Sequence, residues 1–186
     1  MKIVIYGLTD TRPVVYTLLK MLQPMGNIVL HTENPHYKRL IENNLEIGDL
    51  ENIFLVVSQD TLEEILELLE MDMEGFDYVL YDSIIPEEFD VLIHVCGVNI
   101  SDYESSEVED FFSGEAEGFS AYKLNLGFGD KHVPYSLEMF TNIEKIEAFR
   151  SLMEVDRRLT KYLANIMQKH LNTPANTLGK VVSKKR

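Results

Sequence analysis

MKIVIYGLTDTRPVVYTLLKML, residues 1–22, sets the fold. Residues 2–7 are a short apolar, β-branched run ending in Gly7, and from Arg12 onward Val15, Leu18, Leu19 and Leu22 recur at helical spacing. The predicted opening unit is therefore strand, turn and helix, and the pattern repeats outward from it. Residues 27–32 (NIVLHT) read as a second strand, and Pro35 opens a helix through residue 44 with Leu40 and Ile41 facing inward. Residues 53–57 (IFLVV) are a third strand, followed by a helix whose buried stripe is Leu62, Ile65, Leu66 and Leu69. Residues 78–81 and 91–96 are continuously apolar, the mark of central strands covered on both sides. The acidic stretch 102–118 is expected at the surface with a short helix near 108–112, and 121–128 is expected to be a strand. The last predicted helix, 155–171, aligns Leu159, Tyr162, Leu163, Ile166 and Met167 on one stripe. Strands alternating with helices predict a three-layer α/β fold: a mostly parallel sheet with helices on both faces, binding ligands at the carboxyl ends of its strands.

The chain has 186 residues, 45% of them hydrophobic, enough to bury a core without disulfides or metals. Its single cysteine, Cys96, excludes an internal disulfide and fits a reducing, cytoplasmic setting. No apolar run approaches the ~20 residues of a membrane span, and the N-terminus begins a strand, unlike a signal peptide. The formal charge is -14, and between Arg39 and Lys123 there are 23 Asp and Glu but no Lys or Arg. Such a body repels the phosphates of nucleic acids. Residues 172–186 reverse the sign with Lys180, Lys184, Lys185 and Arg186, and are expected to be a flexible basic tail suited to an acidic partner or a peripheral membrane contact.

The exit of the first strand is the usual phosphate-binding position, because a helix N-terminus offers free backbone N–H groups there. A loop of the G-x-x-x-x-G-K-[ST] type needs small residues, a lysine for the phosphate charge and a hydroxyl for Mg²⁺. GLTDTRP, residues 7–13, has one glycine, no lysine and an added carboxylate, Asp10. Arg12 could stand in for the lost cation and Thr9 or Thr11 for the hydroxyl, but Thr9, Asp10 or Thr11 reads first as an ordinary helix cap. The dinucleotide pattern G-x-G-x-x-G is absent too, since only Gly7 is present.

Asp82 ends the run YVLYD at a strand's carboxyl end, where a P-loop enzyme places a Mg²⁺-side acid, although such an acid can also simply open a turn. Glu33 follows the second strand, where a dinucleotide fold places a ribose-binding acid. His31, His36, His94, His132 and His170 have no metal-ligand spacing, and no metal site is expected. His94 and Cys96 alternate within an apolar strand and read as core.

With these stretches placed, the chain resembles the MinD/ParA class of deviant Walker P-loop ATPases, which includes the CpaE/TadZ proteins. FDYVLYDSIIP is similar to the class's Walker B segment and maps its magnesium-side acid onto Asp82. LNLGFGDKHVPYSLEMFTNIEKIEAF resembles the closing strand, loop and helix, which maps an adenine-contacting Asn onto Asn125 and a purine-flanking turn onto Pro134 and Tyr135. LMEVDRRLTKYLANIM resembles the terminal helix. The class's K-G-G-x-G-K-T is replaced by GLTDTRP, so its signature and catalytic lysine are absent.

The resemblance implies a degenerate member: a P-loop-NTPase-like domain over 1–171, with Gly7, Thr9, Thr11, Arg12, Asp82, Asn125 and Pro134 as the vestige of a nucleotide site. It implies no catalysis and no resident cofactor. Its partners would be proteins, including a homodimer mate, met as a cytoplasmic scaffold or adaptor in a positioning, partition, secretion or pilus assembly system. Two alternatives stand beside it: a divergent ATPase using ATP and Mg²⁺ through Arg12 and Asp82, and a Rossmann-like dinucleotide sensor using Gly7 and Glu33.

Overall fold

A computed structural model describes residues 1–8, 10–97, 118–126 and 157–183. The strands are β1 (Lys2–Tyr6), β2 (Ile28–Thr32), β3 (Ile47–Leu50), β4 (Ile53–Val57), β5 (Tyr78–Asp82), β6 (Val91–Gly97) and β7 (Ser120–Leu126). The α-helices are α1 (Arg12–Leu22), α2 (Leu62–Leu68), α3 (Arg157–Met167) and α4 (Ala175–Ser183). The strands form one sheet in the order β3-β4-β2-β5-β1-β6-β7, parallel throughout except for the antiparallel edge strand β3.

Alternation along the strands builds the two faces. Ile3, Ile5, Ile28, Leu30, Leu80 and Ile93 pack with α1, α3 and α4 on one side. Val4, Val29, Val56, Val79, Tyr81 and Leu92 pack with Leu62, Ile65 and Leu66 of α2 on the other. The chain leaves β1 in one direction across the sheet with α1 on one face, then returns from β4 to β5 with α2 on the opposite face. Reversing direction and face together keeps both crossovers right-handed. The return inserts β5 between β2 and β1, and this placement assembles the site described below.

Three segments differ from expectation. Residues 35–44 form two short 3₁₀ turns, Pro35–Leu40 and Glu42–Asn44, in place of an α-helix. The Asn34 side chain accepts from the His36 N–H, Tyr37 and Ile41 are buried in the core with Leu40 packed partly buried against it, and Asn43 breaks the path with φ 59°. The chain then adds β3, unforeseen, by a hairpin through Glu51 and Asn52 in which Glu51 takes a positive φ of 60°. The tail expected to be flexible from residue 172 carries α4 instead. Leu178 and Val182, four residues apart, are 0% and 3% exposed in the cluster that holds α1 and α3, leaving Lys180 on the exposed side. Two buried aliphatic side chains contribute about 3–6 kcal/mol, enough to dock a nine-residue helix. The short helix expected near 108–112 lies outside the described residues. Among the described residues no helix is long and apolar enough to cross a membrane.

Candidate functional site

The strand order brings three carboxyl ends together. Register pairs Asp82 of β5 with Ile5 of β1 on one side and with Thr32 of β2 on the other, so the turn leaving β1 passes beside Asp82. Gly7 begins that turn. A Cβ on Gly7 would stand 2.0 Å from the Val95 carbonyl oxygen of β6, so the absence of a side chain is explained by strand packing without any ligand.

Asp82 is 1% exposed and surrounded by hydroxyls. Thr11 Oγ1 donates to its Oδ1 at 2.5 Å, Thr32 Oγ1 to Oδ2 at 3.3 Å and Ser83 Oγ to Oδ1 at 3.4 Å. The buried Tyr37 hydroxyl approaches the same carboxylate without reaching hydrogen-bonding geometry. Burial raises the Asp82 pKa above the usual carboxylate value, and the hydroxyls, Thr11 first, pull it partly back. Thr11, the N-cap position of α1, makes no side-chain bond to its own helix, its hydroxyl being turned to Asp82.

The helix cap is supplied by Asp10. Its Oδ1 accepts from the Arg12 backbone N–H at 3.1 Å and from Arg12 Nε at 2.8 Å, and its Oδ2 from Arg12 Nη2 at 2.6 Å. The result is a two-pronged ion pair between side chains that are 22% and 21% exposed. The Asp10 hydrogen bond raises the Arg12 pKa further, so the guanidinium is permanently charged and its inner edge is occupied. Pro13 has no N–H, and the Val14 and Val15 N–H groups both go to the Thr11 carbonyl, at 2.9 and 3.1 Å. The first turn of α1 thus leaves none of the N–H groups of residues 12–15 for an anion.

A phosphate placed at the start of α1 would meet a cation already paired with Asp10 and no free N–H among residues 12–15. Phosphate binding at a helix start needs free N–H donors and positive potential, whereas here a carboxylate holds the donor and neutralises the cation. A Mg²⁺ ion would find one buried carboxylate whose oxygens already accept three hydroxyl protons.

Of the residues singled out from sequence, Thr11 meets Asp82, Gly7 packs against Val95 of β6, and Arg12 is turned to Asp10. Thr9 and Pro134 lie outside the described residues. Asn125 is on β7, opposite Cys96, and its side chain also lies outside them. Three strand spacings, about 14 Å, separate β7 from β5. Glu33 is exposed beyond β2, and His94 is 5% exposed within β6. Lys180 is exposed on α4, while Lys184, Lys185 and Arg186 lie outside the described residues. No group of three or more His, Cys, Asp or Glu among the described residues is placed to hold a metal. Thr32 and Tyr37 were missed by sequence reasoning. Thr32 ends a strand whose adjacency to β5 only the sheet order reveals, and Tyr37 lies in the stretch expected to be a plain amphipathic helix.

No protein-family model and no curated protein matches the sequence. Among solved structures, a ParA family ATPase from Chlorobium tepidum TLS is similar at a TM-score of 0.51 and 11% identity, over 97% of this chain and 96% of that one. The MinD cell division protein of Aquifex aeolicus is similar at 0.47 and 11%, over 98% and 94%. A plasmid partition protein of Borrelia burgdorferi B31, bound to AMPPNP, is similar at 0.48 and 12%, over 76% and 82%. The first likeness bears out the expected fold class, a mostly parallel, P-loop-NTPase-like α/β architecture, which here has seven strands among the described residues.

Proposed function

We propose that this chain is a non-catalytic scaffold or adaptor descended from the MinD/ParA ATPases, which binds protein partners in a positioning, partition, secretion or pilus assembly system. The observation that carries the reading is the Asp10–Arg12 pair, which puts an internal carboxylate where a nucleotide-binding turn receives a phosphate. The acidic body makes a basic protein surface the favoured partner and disfavours nucleic acid. A second copy of the chain is one partner to test, and the C-terminal bases Lys180, Lys184, Lys185 and Arg186 offer a separate contact for an acidic partner or an anionic membrane.

Titration calorimetry with ATP and Mg²⁺ is expected to give no saturable heat, and purified protein no ATP hydrolysis above background. Hydrolysis that disappears in Asp82→Ala would overturn the reading. One contact favours the alternative of a divergent ATPase: the Thr11 hydroxyl on Asp82 pairs a helix-start hydroxyl with a strand-end acid, as a Mg²⁺ site would. On that alternative ATP binding would be saturable and would weaken in Arg12→Ala.

A further inference from the structure

The opposite face of the sheet holds a cavity of about 450 Å³ between β2, β5, the start of α2 and the segment after Ser83. Its apolar wall is Leu62, Ile84, Ile85 and Pro86. Two polar side chains line it from the sheet: His31, 2% exposed, and Tyr81, 1% exposed, with rings 5.9 Å apart in an edge-on arrangement. Among the described residues neither nitrogen of His31 nor the hydroxyl of Tyr81 makes a hydrogen bond of good geometry, although the backbone of Ser58 and Asp60 lies close enough to the imidazole to favour its charged form. Buried polar atoms are rarely left this way, because each has given up water without replacement.

The space also exceeds what one ordered water would fill. It falls in the range of small-molecule pockets, which combine apolar walls with a few convergent polar groups. Burial lowers the His31 pKa, so the imidazole is neutral near pH 7 and offers one donor and one acceptor, while the Tyr81 hydroxyl keeps its proton. Around the rim, among the described residues, the exposed carboxylates of Glu63, Glu87 and Glu88 outnumber one cation, Lys2, on a chain of net charge -14. Anions are repelled from such a mouth and cations drawn to it.

We propose that this cavity binds a small organic cation, an amine whose apolar body carries a hydroxyl or similar hydrogen-bonding group at the end opposite its charge. The hydroxyl meets His31 and Tyr81, whose polar atoms lie just beneath the cavity surface and come within reach by a small shift of its lining, the body lies against Leu62, Ile85 and Pro86, and the ammonium stays among the rim carboxylates. The site is independent of the nucleotide question, since Asp82 points to the α1 face while Tyr81 points to the α2 face.

Tyramine and 4-hydroxyphenylacetate, which share a phenol and differ in charge, test it on the full chain by ligand-observed NMR titration. Tyramine is expected to saturate at millimolar concentration and the acid to bind at least tenfold more weakly. His31→Phe should weaken tyramine at least tenfold, and Tyr81→Phe, which removes one oxygen and keeps the ring if the histidine variant misfolds, several-fold. Glu63→Gln with Glu87→Gln should weaken tyramine and spare the acid. Equal binding of both probes, absence of tyramine binding at 10-fold above the millimolar range, or tyramine binding unchanged in Tyr81→Phe would each overturn the proposal.

Discussion

Replacing Asp10 with alanine tests whether the turn after β1 is closed by its own carboxylate. The substitution removes a helix cap, worth about 1 kcal/mol, and a half-buried two-pronged ion pair, worth about 0.5 kcal/mol in so open a position. A loss of about 1.5 kcal/mol lowers Tm by roughly 3–6 °C in a domain of this size. It also frees the Arg12 N–H and guanidinium. Two unit charges about 5 Å apart at an effective dielectric of about 20 repel by about 3 kcal/mol, so removing the carboxylate should tighten anion binding roughly 100-fold. Sulfate at tenfold above its Kd would then return about 1.4 kcal/mol, nearly the whole loss. The assay is thermal unfolding of wild type and Asp10→Ala in sulfate against chloride at matched ionic strength, the wild type supplying the non-specific sulfate effect. A wild-type chain that gains as much from sulfate as the variant would refute the reasoning, because Asp10 would then not be what excludes the anion.

Four further substitutions probe the surroundings. Asp82→Asn should stabilise the chain at pH 7 by about 1 kcal/mol, since the neutral amide escapes the burial cost of the carboxylate. Because the native pKa of Asp82 is raised, the native state holds the proton more tightly than the unfolded chain, and stability falls as pH rises from the ordinary carboxylate pKa through the raised one. The advantage of the amide should accordingly shrink toward pH 4 in urea titrations, and a net loss at pH 7 would count against it. Gly7→Ala forces β1 and β6 apart at Val95 and should cost about 1–3 kcal/mol by equilibrium unfolding; a neutral result would mean the strands give way freely. Leu178→Ala should cost about 2–5 kcal/mol, whereas Lys180→Ala on the exposed side of α4 should stay within about 0.5 kcal/mol; equal small effects would show that α4 is not docked.

The elements legible in the sequence are those whose apolar residues carry the period on their own. Val15, Leu18, Leu19 and Leu22 gave α1, and the uninterrupted IFLVV and VLIHV runs gave central strands, because burial on both faces leaves no polar position to confuse the pattern. Residues 35–44 depart from the expected helix because Pro35, Leu40 and Ile41 do not reveal that Tyr37 takes the core position or that Asn43 breaks the path with a positive φ. Residues 175–183 form a packed helix that composition hides, because the bases of the tail outweigh its aliphatic residues in number whereas Leu178 and Val182 decide the packing. At the site, Gly7, Thr11, Arg12 and Asp82 could be found by position along the chain. That Asp10 takes Arg12 is geometry between neighbours two residues apart, and the sequence alone leaves it open whether the arginine serves a ligand or its own turn.

The closure of that turn bears on how the proposed scaffold would be controlled. A ligand shifts a conformational equilibrium only by as much as it binds one state better than the other. In a turn whose cap, cation and anion are all supplied by residues 10–15, the ordered state needs no nucleotide to complete it, and a nucleotide has no vacant donor among residues 12–15 by which to prefer it. Partner binding by this chain would therefore be set by the partner's concentration and surface charge. Affinity for a protein partner should be the same with and without ATP and Mg²⁺, and should weaken with salt as an acidic surface meeting a basic one does.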